Sequence, residues 1–103
     1  KDMADASVYI MQNVDFSDLA KSENVRNTHI NVGYGSDISI KELANLVKDI
    51  IGYSGEIVFD TTKPDGTFQK LMDSSRLNAL GWKPKIPLRE GIQSVYQHYL
   101  SRN

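Results

Sequence analysis

The chain has 103 residues, 40% hydrophobic and 24% charged, so it reads as ordinary globular sequence with material for one modest core. Its 12 Lys+Arg against 13 Asp+Glu leave a formal net charge of -1 and a pI near 6.1, which gives no electrostatic footprint for nucleic acid. The lack of cysteine excludes disulfides, thiolate zinc sites and a cysteine nucleophile within the chain. No apolar run approaches the roughly 18 residues of a membrane span and no signal peptide opens the sequence, so a soluble cytoplasmic protein with no membrane partner is the default expectation.

Taken in order, Met3, Ala6, Ile10, Met11 and Val14 recur at helical spacing and predict a helix over residues 2–14, with Asp2 as its cap and Asp5 three residues on. A chain that opens inside a cap, with no lead, reads as a cut piece of something longer. The polar "DFSDLAKSENVRN" predicts a short helical turn and a loop, and the acids Asp5, Asp15, Asp18 and Glu23 a solvated face. "THINVG" carries β-branched Thr28, Ile30 and Val32 and stops at Gly33, which predicts a strand. Ser39 and Glu42 then have the form of a capping box before the stripe Ile40, Leu43, Ala44, Val47, Ile50 and Ile51, closed by Gly52.

"EIVFD" predicts a second short strand, residues 74–80 a short helix stopped by Gly81, and Leu88, Ile92, Val95, Tyr96, Tyr99 and Leu100 a last helix after Pro87. Gly91 is a weak point in it, costing up to about 1 kcal/mol relative to Ala. The expected fold is α/β, mixed α+β when isolated, with three main helices and two or three short strands. Short strands do not make an independent sheet, so their partners are expected in a missing part of the chain.

The chemistry is sparse. Gly33-Tyr34-Gly35 lies between a predicted strand and helix, as a dinucleotide fingerprint would, but Ile38 fills the third glycine position, and a turn with positive φ explains the glycines as well. The two histidines, His29 and His98, are far apart and draw neither a metal set nor a triad. A Tyr-x-x-x-Lys pair is absent: Asn13, Ile38, Ile57, Leu100 and Asn103 stand four residues after the tyrosines. Tyr96 and Tyr99 lack an accompanying basic stripe and read as core or interface rather than a base-stacking platform.

"FDTTKPDGTFQKLMD" is the exception. Pro64-Asp65-Gly66 is turn chemistry, but a turn does not need Lys63 and Lys70 at its flanks. If the segment returns on itself, both ammonium groups can meet a diphosphate, and Asp65 can accept hydrogen bonds from sugar hydroxyls. A plain surface turn is the alternative.

From "HINVGYG" to "SVYQHYL" the sequence resembles the C-terminal part of the GDP-L-fucose synthase family, GDP-4-keto-6-deoxy-D-mannose 3,5-epimerase/4-reductases of the extended short-chain dehydrogenase superfamily. "FDTTKPDGTFQKLMDSSRLNALGW" carries most of that likeness, whereas "NVG" and "ELA" are shared more widely. The resemblance implies that the NADP-binding Rossmann domain and the catalytic residues precede residues 1–103, so that no catalytic, cofactor or metal residue falls in this chain. It also implies that Asp65 and Lys70 contact the GDP moiety, that Lys63, Gly66 and Thr67 shape their loop, and that the full-length protein is a homodimer. Where the family commonly has Pro-Arg, this chain has Phe68-Gln69, one positive charge fewer beside the diphosphate. A related enzyme such as a GDP-colitose synthase, or a stand-alone nucleotide-sugar binding module, are the alternatives.

Overall fold

Local signals decide the helices. The computed structural model describes residues 1–20 and 28–102, so Glu23 and the end of its loop lie outside the described residues. Its elements are α1 (Asp2–Asn13), α2 (Phe16–Leu19), α3 (Ile40–Ile51), α4 (Ser75–Ala79) and α5 (Leu88–Ser101). The chain forms two compact units, Lys1–Ser36 with Leu71–Lys85, and Asp37–Lys70 with Ile86–Asn103.

In the first unit, Ala6 and Leu77 are fully buried and Trp82 is 4% exposed, with Tyr9, Ile10, Ile30 and Val32 packed around them. The buried face of α1 is therefore Ala6-Tyr9-Ile10, not the expected stripe through Met3 and Met11, which are 72% and 86% exposed. Tyr9 turns inward because its hydroxyl donates to the Leu80 carbonyl at 2.6 Å, which satisfies the polar tip of a largely apolar side chain. Gly81 must be glycine here: its φ is +103°, and a Cβ would stand 2.6 Å from the Tyr9 hydroxyl.

Asp2 is not the cap expected of it. Lys1 precedes α1 in that position, while Asp2 accepts from the Lys85 amide at 3.1 Å and Asp5 from the Trp82 indole at 2.9 Å. Both acids still sit where the helix dipole favours them, but they reach donors on the returning chain instead of their own first turn. The short turn after α1 is capped reciprocally by Asp15 and Asp18.

The two expected strands are absent: among the described residues there is no strand. A strand exists only as a ladder, and neither residues 28–33 nor 56–60 finds one. Residues 28–33 are held sideways instead, by the Asn31 amide donating to the Asp73 carbonyl at 3.2 Å and by Arg76 donating to the His29 carbonyl at 2.8 Å. Gly33 permits the approach, since a Cβ would lie 3.1 Å from that of Met72. Ile30 and Val32 thereby gain cover, whereas Val58 and Phe59 stay exposed.

In the second unit α3 packs against α5, with Arg89 and Asp49 paired at 2.7 Å on the rim. The Ser39 hydroxyl accepts from the Glu42 amide at 3.1 Å, and Gly52, at φ +71°, returns its amide to the Lys48 and Asp49 carbonyls. Both ends of α3 are thus written in residues adjacent to it, and the helix has the expected bounds.

Candidate functional site

Lys63, Asp65, Gly66, Thr67 and Lys70 all lie on one exposed, irregular stretch of the second unit, residues 61–70. Its reversal is not at Pro64-Asp65-Gly66. The turn comes earlier, where the Asp60 carboxylate accepts from the Thr62 amide at 3.0 Å and the Thr62 hydroxyl at 2.6 Å and the Lys63 amide reaches the Asp60 carbonyl at 3.4 Å. An Asx-type turn satisfies the backbone locally, Pro64 disfavours a helical conformation at Lys63, and residues 64–66 form no turn. Gly66 takes no positive φ and open space surrounds its Cα, so the turn makes no demand for glycine there.

The hydroxyl and then the amide of Thr62 hold the Asp60 carboxyl below the ordinary carboxylate range. That anion is engaged, which leaves Lys63, Asp65 and Lys70 as the charges of the stretch with no hydrogen bond or ion pair from their side chains to any described residue. No hydrogen bond or ion pair between described residues joins Lys63, Asp65 and Lys70 to one another, and the reversal at Asp60–Lys63 comes before the two lysines rather than between them, so the fold-back expected to bring both ammonium groups to one diphosphate is not at Pro64-Asp65-Gly66.

One contact was not visible from sequence spacing. Gln69 donates from its amide nitrogen to the Asp37 carboxylate at 2.6 Å, across 32 positions, and among the described residues it is the one hydrogen bond joining residues 61–70 to a distant part of their unit. The first unit carries a separate open cleft of about 330 Å³, lined by Gly35, Leu71, Met72, Asp73, Ser74, Ser75 and Asn78. Ser74 is buried in it, and the Asn78 side-chain oxygen is buried without a partner. The Asp73 carboxyl there lies below its ordinary range because the Ser75 side chain and amide donate to it.

Among the described residues, Gly33-Tyr34-Gly35 does not complete a dinucleotide fingerprint. Gly35 has the positive φ of a turn, but the third glycine position is Ile38, and the Ser39 hydroxyl already occupies the α3 N-terminus that would face a pyrophosphate. His29 is exposed with its carbonyl taken by Arg76, and His98 lies on α5; no acidic, histidine or cysteine group of three or more is placed to hold a metal among the described residues. No helix among the described residues is long and apolar enough to cross a membrane.

No protein-family model matches the chain. A probable GDP-L-fucose synthase 1 of Oryza sativa subsp. japonica is 48% identical over 99 residues, covering 96% of this chain and 27% of the relative. The GDP-L-fucose synthase of Escherichia coli K12 is 45% identical over 104 residues, covering 96% and 30%, and the GDP-L-colitose synthase of Yersinia pseudotuberculosis is 35% identical over 101 residues, covering 98% and 30%. Among solved structures, a GDP-6-OMe-4-keto-L-xylo-heptose reductase from C. jejuni superposes with a TM-score of 0.93 at 53% identity, over 99% of this chain and 29% of that one. A GDP-D-glycero-L-gluco-heptose synthase from Campylobacter jejuni, in the presence of NADPH, follows with a TM-score of 0.87 at 52% identity, over 96% and 28%. The chain thus spans under a third of the proteins it matches. Over nearly its whole length it is homologous to the C-terminal part of GDP-L-fucose synthases and of related GDP-sugar reductases of the extended short-chain dehydrogenase family.

Proposed function

We propose that this chain is the GDP-sugar-binding part of an NADP-dependent epimerase/reductase of the GDP-L-fucose synthase type, which converts GDP-4-keto-6-deoxy-D-mannose to GDP-L-fucose by 3,5-epimerisation and 4-reduction. The observation that carries the reading is the homology over 96% of the chain at 45 to 48% identity to proteins of that name, on a sequence whose Lys63–Lys70 stretch leaves its charges unengaged. Lys63 and Lys70 neutralise the diphosphate, Asp65 accepts from sugar hydroxyls, and Gly66 and Thr67 lie between them on the same stretch. These interactions bind and orient; they move no proton, and the chain has no Tyr-x-x-x-Lys pair with which to do so. NADPH would supply the hydride when bound, and since Gly33-Tyr34-Gly35 does not complete a dinucleotide fingerprint, its site is assigned to the remainder of a longer, homodimeric, cytoplasmic protein.

A second reading has its own support. The C. jejuni 4-keto-heptose reductase is 53% identical to this chain, which supports a GDP-linked keto-heptose as an alternative substrate to a 6-deoxy-hexose. A product assay of the full-length protein with NADPH separates the two. Turnover of GDP-4-keto-6-deoxy-mannose to GDP-L-fucose supports the first; reduction of a GDP-4-keto-heptose alone supports the second. Binding of GDP with no turnover of either, in a protein with no NADPH affinity, would leave a nucleotide-sugar binding module and end both enzyme readings.

A further inference from the structure

We propose that Gln69 and Asp37 are positioning residues for the nucleotide-sugar loop, holding Lys70 in place before ligand arrives; this rests on the reading of residues 63–70 as a diphosphate site. The loop has two anchors. Its entry is fixed by the Asp60–Thr62 turn, and its exit by the 2.6 Å hydrogen bond from Gln69 to Asp37. Between them, residues 64–68 make no hydrogen bond to any described residue. The direction of the exit bond is chemically forced, because an ionised carboxylate only accepts and the amide NH₂ must donate. With the donor meeting a formal charge, the bond belongs to the stronger, charge-assisted class.

The acceptor end lies beside a capped helix. Asp37 stands two positions before Ser39, whose hydroxyl caps α3, and α3 is packed on α5 and pinned at the rim by Arg89 to Asp49. Gln69 therefore ties the residue preceding Lys70 to the helical frame of its unit. An unanchored lysine on a mobile loop would lose backbone freedom when it closed on a diphosphate. An anchored one has already lost it, so the tether acts on affinity through preorganisation without touching the ligand. The same geometry gives Gln69, rather than a cationic residue, a function at this position: it builds the loop and does not add to its charge.

The test is a double-mutant cycle read by calorimetric titration with GDP, in the full-length protein. Gln69→Ala and Asp37→Ala should each weaken GDP binding about 3- to 10-fold, and the double variant should be no worse than either single, because both remove the same bond. Asp37→Asn, which keeps a neutral side-chain acceptor but loses the charge, should recover part of the loss. Unchanged affinity in both singles, or losses that multiply in the double, would overturn the tether. Lys70→Ala separates the two levels: if the wild type binds no GDP, or Lys70→Ala binds it equally well, the diphosphate reading falls. The tether is then judged by amide hydrogen exchange over residues 64–70, which both single substitutions should accelerate, and equal exchange in all variants refutes it.

Discussion

Replacing Lys70 by Ala isolates binding from folding, because the structure gives this side chain no structural task. It is exposed and makes no hydrogen bond or ion pair to any described residue, so its removal should change stability by less than about 0.5 kcal/mol. Against a diphosphate it supplies one charge-assisted hydrogen bond, of about 1.5 to 3 kcal/mol, or roughly 10- to 100-fold in affinity. If Lys70 meets the diphosphate as proposed, the contact is remote from the reacting sugar carbons and similar in ground and transition states, so the loss should fall on KM with kcat nearly unchanged. Lys70→Arg should recover only part, since a planar fork does not replace a point charge without repositioning. Steady-state kinetics with the GDP-sugar, at low and high salt, provide the assay, with thermal unfolding as the control. A KM within twofold of wild type at low salt, in a normally stable variant, would refute the assignment of Lys70. A lowered melting temperature would instead show that the side chain carries a contact within the fold.

The rest concern the scaffold. Leu77→Ala opens a cavity beside Ala6 and Trp82 and should cost about 2 to 5 kcal/mol, followed through the emission of Trp82, the single tryptophan of the chain; a loss under 1 kcal/mol would mean that this cluster is not the core of its unit. Gly91→Ala should stabilise by about 0.5 to 1 kcal/mol in chemical denaturation, because Gly91 is inside α5, has no positive φ, and a Cβ there meets Ile86 at an ordinary 3.8 Å. Thr62→Val removes the larger cause of the lowered Asp60 pKa, so its carboxyl titration, followed by NMR, should move up toward 3.8 while the amide keeps it below that value. The sign follows from a folded pKa that is depressed: the stabilisation is present above about 3.8, fades as pH falls through the folded pKa, and should fade less in the variant.

What could be read from the sequence was what the chain decides locally. The bounds of α3 follow from Ser39 and Gly52, each acting within four residues of itself, and α5 follows equally from Pro87 and its apolar spacing. The two strands could not be settled that way, since "THINVG" and "EIVFD" have the composition of strands but need ladder partners that no property of theirs supplies. The same limit appears inside the candidate loop. Pro64-Asp65-Gly66 is a turn signal by composition, yet Asp60 reached Thr62 first, and one carboxylate with two nearby donors displaced the reversal by several residues. On α1, spacing put Met3 and Met11 in the core stripe and left Tyr9 out of it; the Leu80 carbonyl, 71 positions away, accepts from the Tyr9 hydroxyl and brings that ring inward instead. Gln69 shows the functional consequence of such distance. Beside Lys70 in sequence it looks like a missing cation, whereas in the fold its amide is committed to Asp37, so a substitution that reads as weakened anion binding becomes a means of holding the neighbouring cation still. If the loop holds a diphosphate as proposed, charge counted along it understates what it can bind, because preorganisation of Lys70 can offset the absence of a third positive group beside Lys63 and Lys70.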